Sequence, residues 1–249
     1  MVAGLMSCVH IEDILTKDSS NIQGLGNAAG KPSGTAFKLP AGVELTGEII
    51  GGVNNSNGYW SFTEPYALPE QLFGIKNGAV AKPLSRIATR AAGDNEIHYF
   101  GSGMFDLRMS LRNTLATPAT VTFPAATKFF SKSSKCQHAV LIKKVSFTIP
   151  AGSNYQICLS FYCGNKGKNA PENDVYEWGV VSDAKALLDL CDRVKNKKIN
   201  IEEMSRYDGI GTYWEQVAKL QEIVWQITDH GGKLSESDIA YLNSLPLSN

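Results

Sequence analysis

The sequence predicts an α+β protein, an antiparallel β-sandwich followed by a small C-terminal helical subdomain. From about Pro32 to Tyr162, apolar residues recur with a period of two; after Trp178 they recur at helical spacing. Turn-forming residues cut the first region into many short runs. Short alternating strands with turn signals between them are the pattern of an antiparallel sandwich, and strands first, helices last is an α+β order.

Taken in order, residues 1–32 carry Gly24, Gly26, Gly30 and many small polar side chains, and read as a leader and flexible tether. The β part is expected over 33–168. Val43, Leu45, Gly47 and Ile49 alternate with Glu44, Thr46 and Glu48, as in a half-buried strand. The stretch Asn54–Gly101 is irregular and rich in Pro, Gly and rings (Tyr59, Trp60, Phe62, Tyr66, Phe73). It reads as a large inserted loop, either packed on the sandwich or used for recognition. Period two returns at Leu107/Met109/Leu111, Val121/Phe123 and Val145/Phe147/Ile149, punctuated by Pro118, Pro124-Ala125 and Pro150-Ala151-Gly152.

Helices occupy 169–249. Ser182 can cap the first, with Leu187, Leu188, Cys191 and Val194 as its apolar stripe. The second runs from about Gly211 to Thr228 and stops at Gly231-Gly232. Ser235 and Asp238 open the third with a capping-box pattern; it buries Ile239, Leu242 and Leu245 and ends at Pro246.

Composition narrows the function. The formal net charge is zero and the short cluster Lys195, Lys197, Lys198 suits a helix C-terminus, so there is no electrostatic footprint for nucleic acid. No stretch is apolar and long enough to span a bilayer. The five cysteines lack CxxC spacing and few histidines accompany them, so neither a metal nor any other cofactor is expected. Carboxylates are scattered without a paired or calcium-loop pattern, and Gly101-Ser102-Gly103 lacks the rest of a nucleophile elbow. Leu5-Met6-Ser7-Cys8 resembles a bacterial lipobox, in which the cysteine is lipidated. The stretch before it is shorter than a signal peptide and carries no basic residue. Cys8 is therefore the candidate membrane tether.

Two polar side chains stand out. In the strand Gln156–Cys163, Ile157, Leu159, Phe161 and Cys163 share the more apolar face, with Cys158, Ser160 and Tyr162 opposite. On the second helix Trp214, Val217, Gln221, Val224 and Thr228 lie on one face, so Gln221 is a buried amide that needs a partner. Gln216 and Gln226 fall outside that stripe and read as surface residues, and Asp229-His230 as a solvated turn. Gln221 can bond a backbone group of the sheet while Cys163 serves as a small hydrophobe or pairs with Cys136 or Cys191. Alternatively, the two can join in an internal thioester.

The motifs Tyr162-Cys163 and Leu220-Gln221-Glu222-Ile223-Val224-Trp225, with Thr228-Asp229 following, are in the order Cys then Gln, on strand then helix. From about Thr117 to its end the chain in this respect resembles bacterial thioester domains, known from surface adhesins. It departs from them at Gly164, where those domains carry an aromatic or polar residue. The resemblance implies a Cys163–Gln221 thioester shielded by Tyr162 and Trp225. It also implies an extracellular or cell-surface location and covalent capture of an amine-bearing protein or glycan on a host or neighbouring cell. Such a bond reacts once, so the chain would not be an enzyme in the turnover sense. The alternative is a non-covalent surface module, such as a self-assembling filament subunit or a carbohydrate binder, with recognition in Asn54–Gly101. A third reading is a thiol hydrolase using His138, His98 or His230 as base.

Overall fold

Alternation is realised most fully in two long neighbouring strands. The computed structural model describes residues 22–28, 30, 32–52, 97–133, 135–204, 210–230 and 233–248. In chain order β1 is Thr35–Ala36, β2 Val43–Leu45, β3 Ile49–Gly52, β4 Ile97–Gly101, β5 Phe105–Asn113 and β6 Ala119–Phe123. There follow β7 Thr127–Ser131, β8 Ala139–Val140, β9 Val145–Ile149, β10 Asn154–Cys163 and β11 Glu172–Val181. The helices are α1 Lys185–Val194, α2 Ile210–Thr228 and α3 Glu236–Ser244, with a 3₁₀ turn at Ile201–Glu203.

The β-rich α+β class holds, but the pairing describes a ring where two facing sheets were expected. β5 pairs with β10 and β3, β3 with β11, β11 with β7, β7 with β8, and β8 with the end of β10. Every step is antiparallel, so six strands close into a barrel. Closure removes the free edges that an open sheet would have to protect. β4 adds a parallel strand along Gln156–Ser160 of β10, and β2 extends β5. β6 and β9 form a separate ribbon whose Val121, Phe123, Val145, Phe147 and Ile149 pack into the barrel core with Leu107, Leu159 and Phe161. Alternation alone does not distinguish these arrangements, because a barrel strand and a sandwich strand both show one apolar face.

Four boundaries differ from expectation; one is the irregular stretch expected to run to Gly101, whose last five residues are strand β4. The alternating run Val43–Ile49 is two strands, because Gly47 at φ +92° breaks it. β11 belongs to the barrel, so the helical part begins at Lys185, not at 169. Its alternation is obscured by a register shift at Glu172/Asp174, with Asn173 at φ +61°. The expected tether ends early: Ile22 and Leu25 are buried and pack with the helices. Residues 1–21, with Cys8, and 53–96, with the five rings of the expected insertion, lie outside the described residues.

The helices cover one outer face of the barrel. Leu187, Leu190, Cys191 and Val194 of α1 join Val217, Leu220, Val224 and Ile227 of α2 against Val140 and Tyr162 of the strands and Ile142 just after β8. Leu188, expected in the stripe, is 41% exposed, and Leu190 takes its place. Gln216 is buried, its Nε2 donating to the Lys198 carbonyl at 3.0 Å. The α3 capping box forms as expected: Asp238 N–H donates to Ser235 Oγ at 3.1 Å, and Ser235 N–H to Asp238 Oδ2 at 3.2 Å. Among the described residues, no helix is long and apolar enough to cross a membrane.

The 3₁₀ turn fastens this assembly electrostatically. Glu203 binds Lys143 Nζ at 2.5 Å, and its neighbour Glu202 accepts the Gly101 N–H of β4 at 2.7 Å. Burial raises the Glu202 carboxyl to about 7. An acid whose pKa is higher folded than unfolded favours folding at low pH, and that contribution fades as pH rises from the ordinary carboxylate range through about 7. Glu202→Gln is therefore expected to raise the melting temperature relative to wild type more at pH 8 than at pH 5. Paired thermal melts would check this, and a pH-independent difference would exclude it.

Candidate functional site

The two polar residues singled out in the sequence meet. Gln221 Oε1 accepts the backbone N–H of Cys163 at 2.7 Å, and Gln221 Nε2 donates to the Cys163 carbonyl at 3.0 Å. Both residues are 1% exposed. The local reason lies in the strand ladder. The Phe161 carbonyl is taken by the Met104 N–H at 2.8 Å, just before β5 begins at Phe105. Two residues further, the next N–H and C=O on that edge of β10 belong to Cys163, beyond the end of its pairing with β5. The Gln221 amide takes the place of the missing strand. A buried amide at this point of α2 is thus required by the sheet as well as tolerated by the helix.

Cys163 faces the barrel core, in one cluster with Ile157, Leu159 and Phe161 as its parity predicts. Trp225, one helical turn beyond Gln221, packs against the same cluster. Tyr162 does not: its ring lies in the cluster beneath the helices, and its hydroxyl is 2.7 Å from Ser102 Oγ. Of the two residues expected to shield Cys163, only Trp225 packs against the cluster that holds it. Tyr162 points the other way because successive strand residues alternate faces.

The residues around the pair include several that sequence reasoning missed. Asp229, expected in solvent, accepts the Lys166 N–H at 3.0 and 3.2 Å and the Thr228 hydroxyl at 2.8 Å, tying the turn after Cys163 to the end of α2. The Lys166 ammonium lies 5.4 Å from the Trp225 ring centroid. Asn165, 2% exposed, accepts the His138 N–H at 2.9 Å and donates to the Gly26 carbonyl at 2.8 Å. Gly164 stands where a Cβ would come within 2.8 Å of Leu25 and 3.0 Å of Val140, which accounts for glycine at this position. The signal for these residues was the run Gly164-Asn165-Lys166-Gly167, which marks a turn but not what the turn holds.

Burial pushes the Cys163 thiol far above its usual range. A thiol hydrolase needs the reverse. His138 is occupied, its Nδ1 accepting the Ser131 N–H at 3.1 Å, and burial, reinforced by Lys168 and Lys128, lowers it to about 4. His98 stacks on Tyr155 in the barrel core, and His230 is exposed past the end of α2. Cys136, Cys158, Cys163 and Cys191 are all free and buried, so Cys163 has no disulfide with Cys136 or Cys191. Among the described residues, no group of metal-ligating side chains converges. No known protein family, curated protein or solved structure matches the chain.

Proposed function

We propose that Cys163 and Gln221 form an internal thioester, and that the chain uses it to attach covalently to an amine-bearing protein or glycan at a cell surface, in the manner of a surface adhesin. The observation that carries this reading is the two-point grip of the Gln221 amide on the Cys163 backbone. The Cys163 N–H at 2.7 Å from Oε1 is a fixed donor where negative charge develops when sulfur attacks the amide carbon. The Cys163 carbonyl holds the nitrogen that must leave. In that step the S–C bond forms, the C–N bond breaks, and the thiol proton departs with the nitrogen as ammonia. The sulfur attacks as it gives up its proton; burial, which holds the thiol protonated, opposes this step until that proton passes to the departing nitrogen. A target amine then attacks the same carbon, leaving an amide and a free Cys163 thiol. Trp225 excludes water from the bond until then. Lipid at Cys8 would hold the domain at a membrane surface.

Intact mass before and after methylamine tests the reading. The expected result is a chain lighter than its sequence by one ammonia. Methylamine should then add to it, with the modification mapped to Gln221. An unmodified mass that methylamine does not move would overturn the thioester. The same two hydrogen bonds would then leave Gln221 as the amide that completes the β10 ladder and Cys163 as a core thiol. The protein would be a non-covalent surface module, a filament subunit or carbohydrate binder.

A further inference from the structure

The end of β10 and the end of α2 are bridged by a third piece of chain. Residues 22–28 form a short folded segment in which the Leu25 N–H donates to the Ile22 carbonyl and the Ala28 N–H to the Leu25 carbonyl, at 2.8 and 3.1 Å. Its Leu25 side chain is fully buried. The Gly26 N–H donates to the Gly164 carbonyl at 2.8 Å, and the Gly26 carbonyl accepts Asn165 Nδ2 at 2.8 Å. On its other side Gly26, at φ +58°, lies so close to α2 that a Cβ would fall 2.0 Å from the Thr228 carbonyl oxygen. The segment therefore touches the residues immediately after Cys163 and the last residue of the helix that carries Gln221.

We infer that Ile22–Ala28 is a strap that holds the Cys163–Gln221 site closed, and that its release admits the nucleophile; for the thioester this rests on the function proposed above. The segment is fastened by the Ile22 and Leu25 side chains and by the hydrogen bonds of Gly26. Against them stand the continuous ladders of the barrel, so the strap opens locally without the fold opening with it. Leu25 covers Gly164, and Gly26 fixes Asn165, which in turn holds the N–H of His138, the residue just before β8. Lifting the strap frees one side of the Cys163 turn while Asp229 still holds Lys166 on the other. A pull on the chain at Ile22 is thereby transmitted to the residue next to the reactive cysteine.

The test uses the full chain with Gly26→Ala, which drives a methyl group into the Thr228 carbonyl, and separately Asn165→Ala, which cuts one tie and adds no atom. Two rates are measured: methylamine incorporation at Gln221, and alkylation of Cys163 by iodoacetamide under native conditions. The second is read after methylamine treatment, or directly if no thioester forms. Circular dichroism and thermal melts report the fold. Both rates should rise about tenfold or more in Gly26→Ala with the barrel intact, and less in Asn165→Ala. Unchanged rates in folded variants would make the segment passive packing, and loss of the whole fold in both would show that it is not a separable unit; either result overturns the proposal. Because alkylation needs no thioester, faster alkylation in a chain that never loses ammonia would keep the strap and remove the thioester.

Discussion

Cys163→Ala is expected to abolish methylamine capture while leaving the fold almost untouched, and Gln221→Ala to abolish capture and weaken the fold severely. The asymmetry follows from which atoms each side chain supplies. Before any thioester forms, the hydrogen bonds at the site run between the Gln221 amide and the Cys163 main chain, so deleting the sulfur breaks neither. It leaves a small void in the barrel core, a cost of about 1–2 kcal/mol. Deleting the amide leaves a buried N–H and a buried C=O without partners. At about 1–3 kcal/mol each, the loss is about 2–6 kcal/mol. Urea unfolding of the two variants beside wild type measures the difference, and mass spectrometry after methylamine measures capture. Capture surviving in Cys163→Ala would remove the sulfur from the chemistry. Equal stabilities for the two variants would remove Gln221 from the ladder.

The pair was legible because each residue breaks a local rule on its own element. A glutamine on an apolar helical stripe and a cysteine on the apolar parity of a strand are visible in periodicity alone. A backbone group of the sheet was among the partners open to Gln221, but that it would be the main chain of Cys163 was not legible, because a sequence carries no sign of where a strand ladder runs out. The same limit hid the barrel. Period two reports that one face of each strand is buried, while the closing pair, Tyr162 with Val140 and Cys163 with Ala139, depends on a two-residue strand too short to show any period. Asp229 and Asn165 were missed for a related reason. Polar residues at turns normally meet water, and these two are recruited only because the end of β10 and the end of α2 arrive at the same place. Segment 22–28 shows the reverse error: glycines that suggest flexibility are there because backbone passes within contact of backbone.

Glu203→Ala carries the other large expected effect, a destabilisation of about 3–5 kcal/mol, because it strands a buried ammonium. The Lys143 side chain is 7% exposed, and its Nζ is met by Glu203 Oε1, the Lys197 carbonyl and Ser248 Oγ. Without Glu203 only neutral acceptors remain. The carboxylate also accepts the N–H groups of Ile199 and Asn200 at 3.1 and 3.0 Å, so the entry to the 3₁₀ turn loses its cap as well. Glu203 itself is 23% exposed, which places the loss toward the lower end of that range. The exposed Lys195–Asp192 pair offers the contrast: side chains 59% and 70% exposed make it worth at most about 1 kcal/mol. A double-mutant cycle separates the pair from its surroundings. Adding Lys143→Met to Glu203→Ala should restore much of the loss, since an apolar side chain no longer needs a counter-charge there. A double variant no more stable than Glu203→Ala alone would show that the cap, not the buried charge, sets the cost. The loss would reach the candidate site too. Lys143 lies between β8 and β9, and the 3₁₀ turn it holds joins α1 to α2, so this ion pair helps keep the helix that carries Gln221 seated on the strand that carries Cys163.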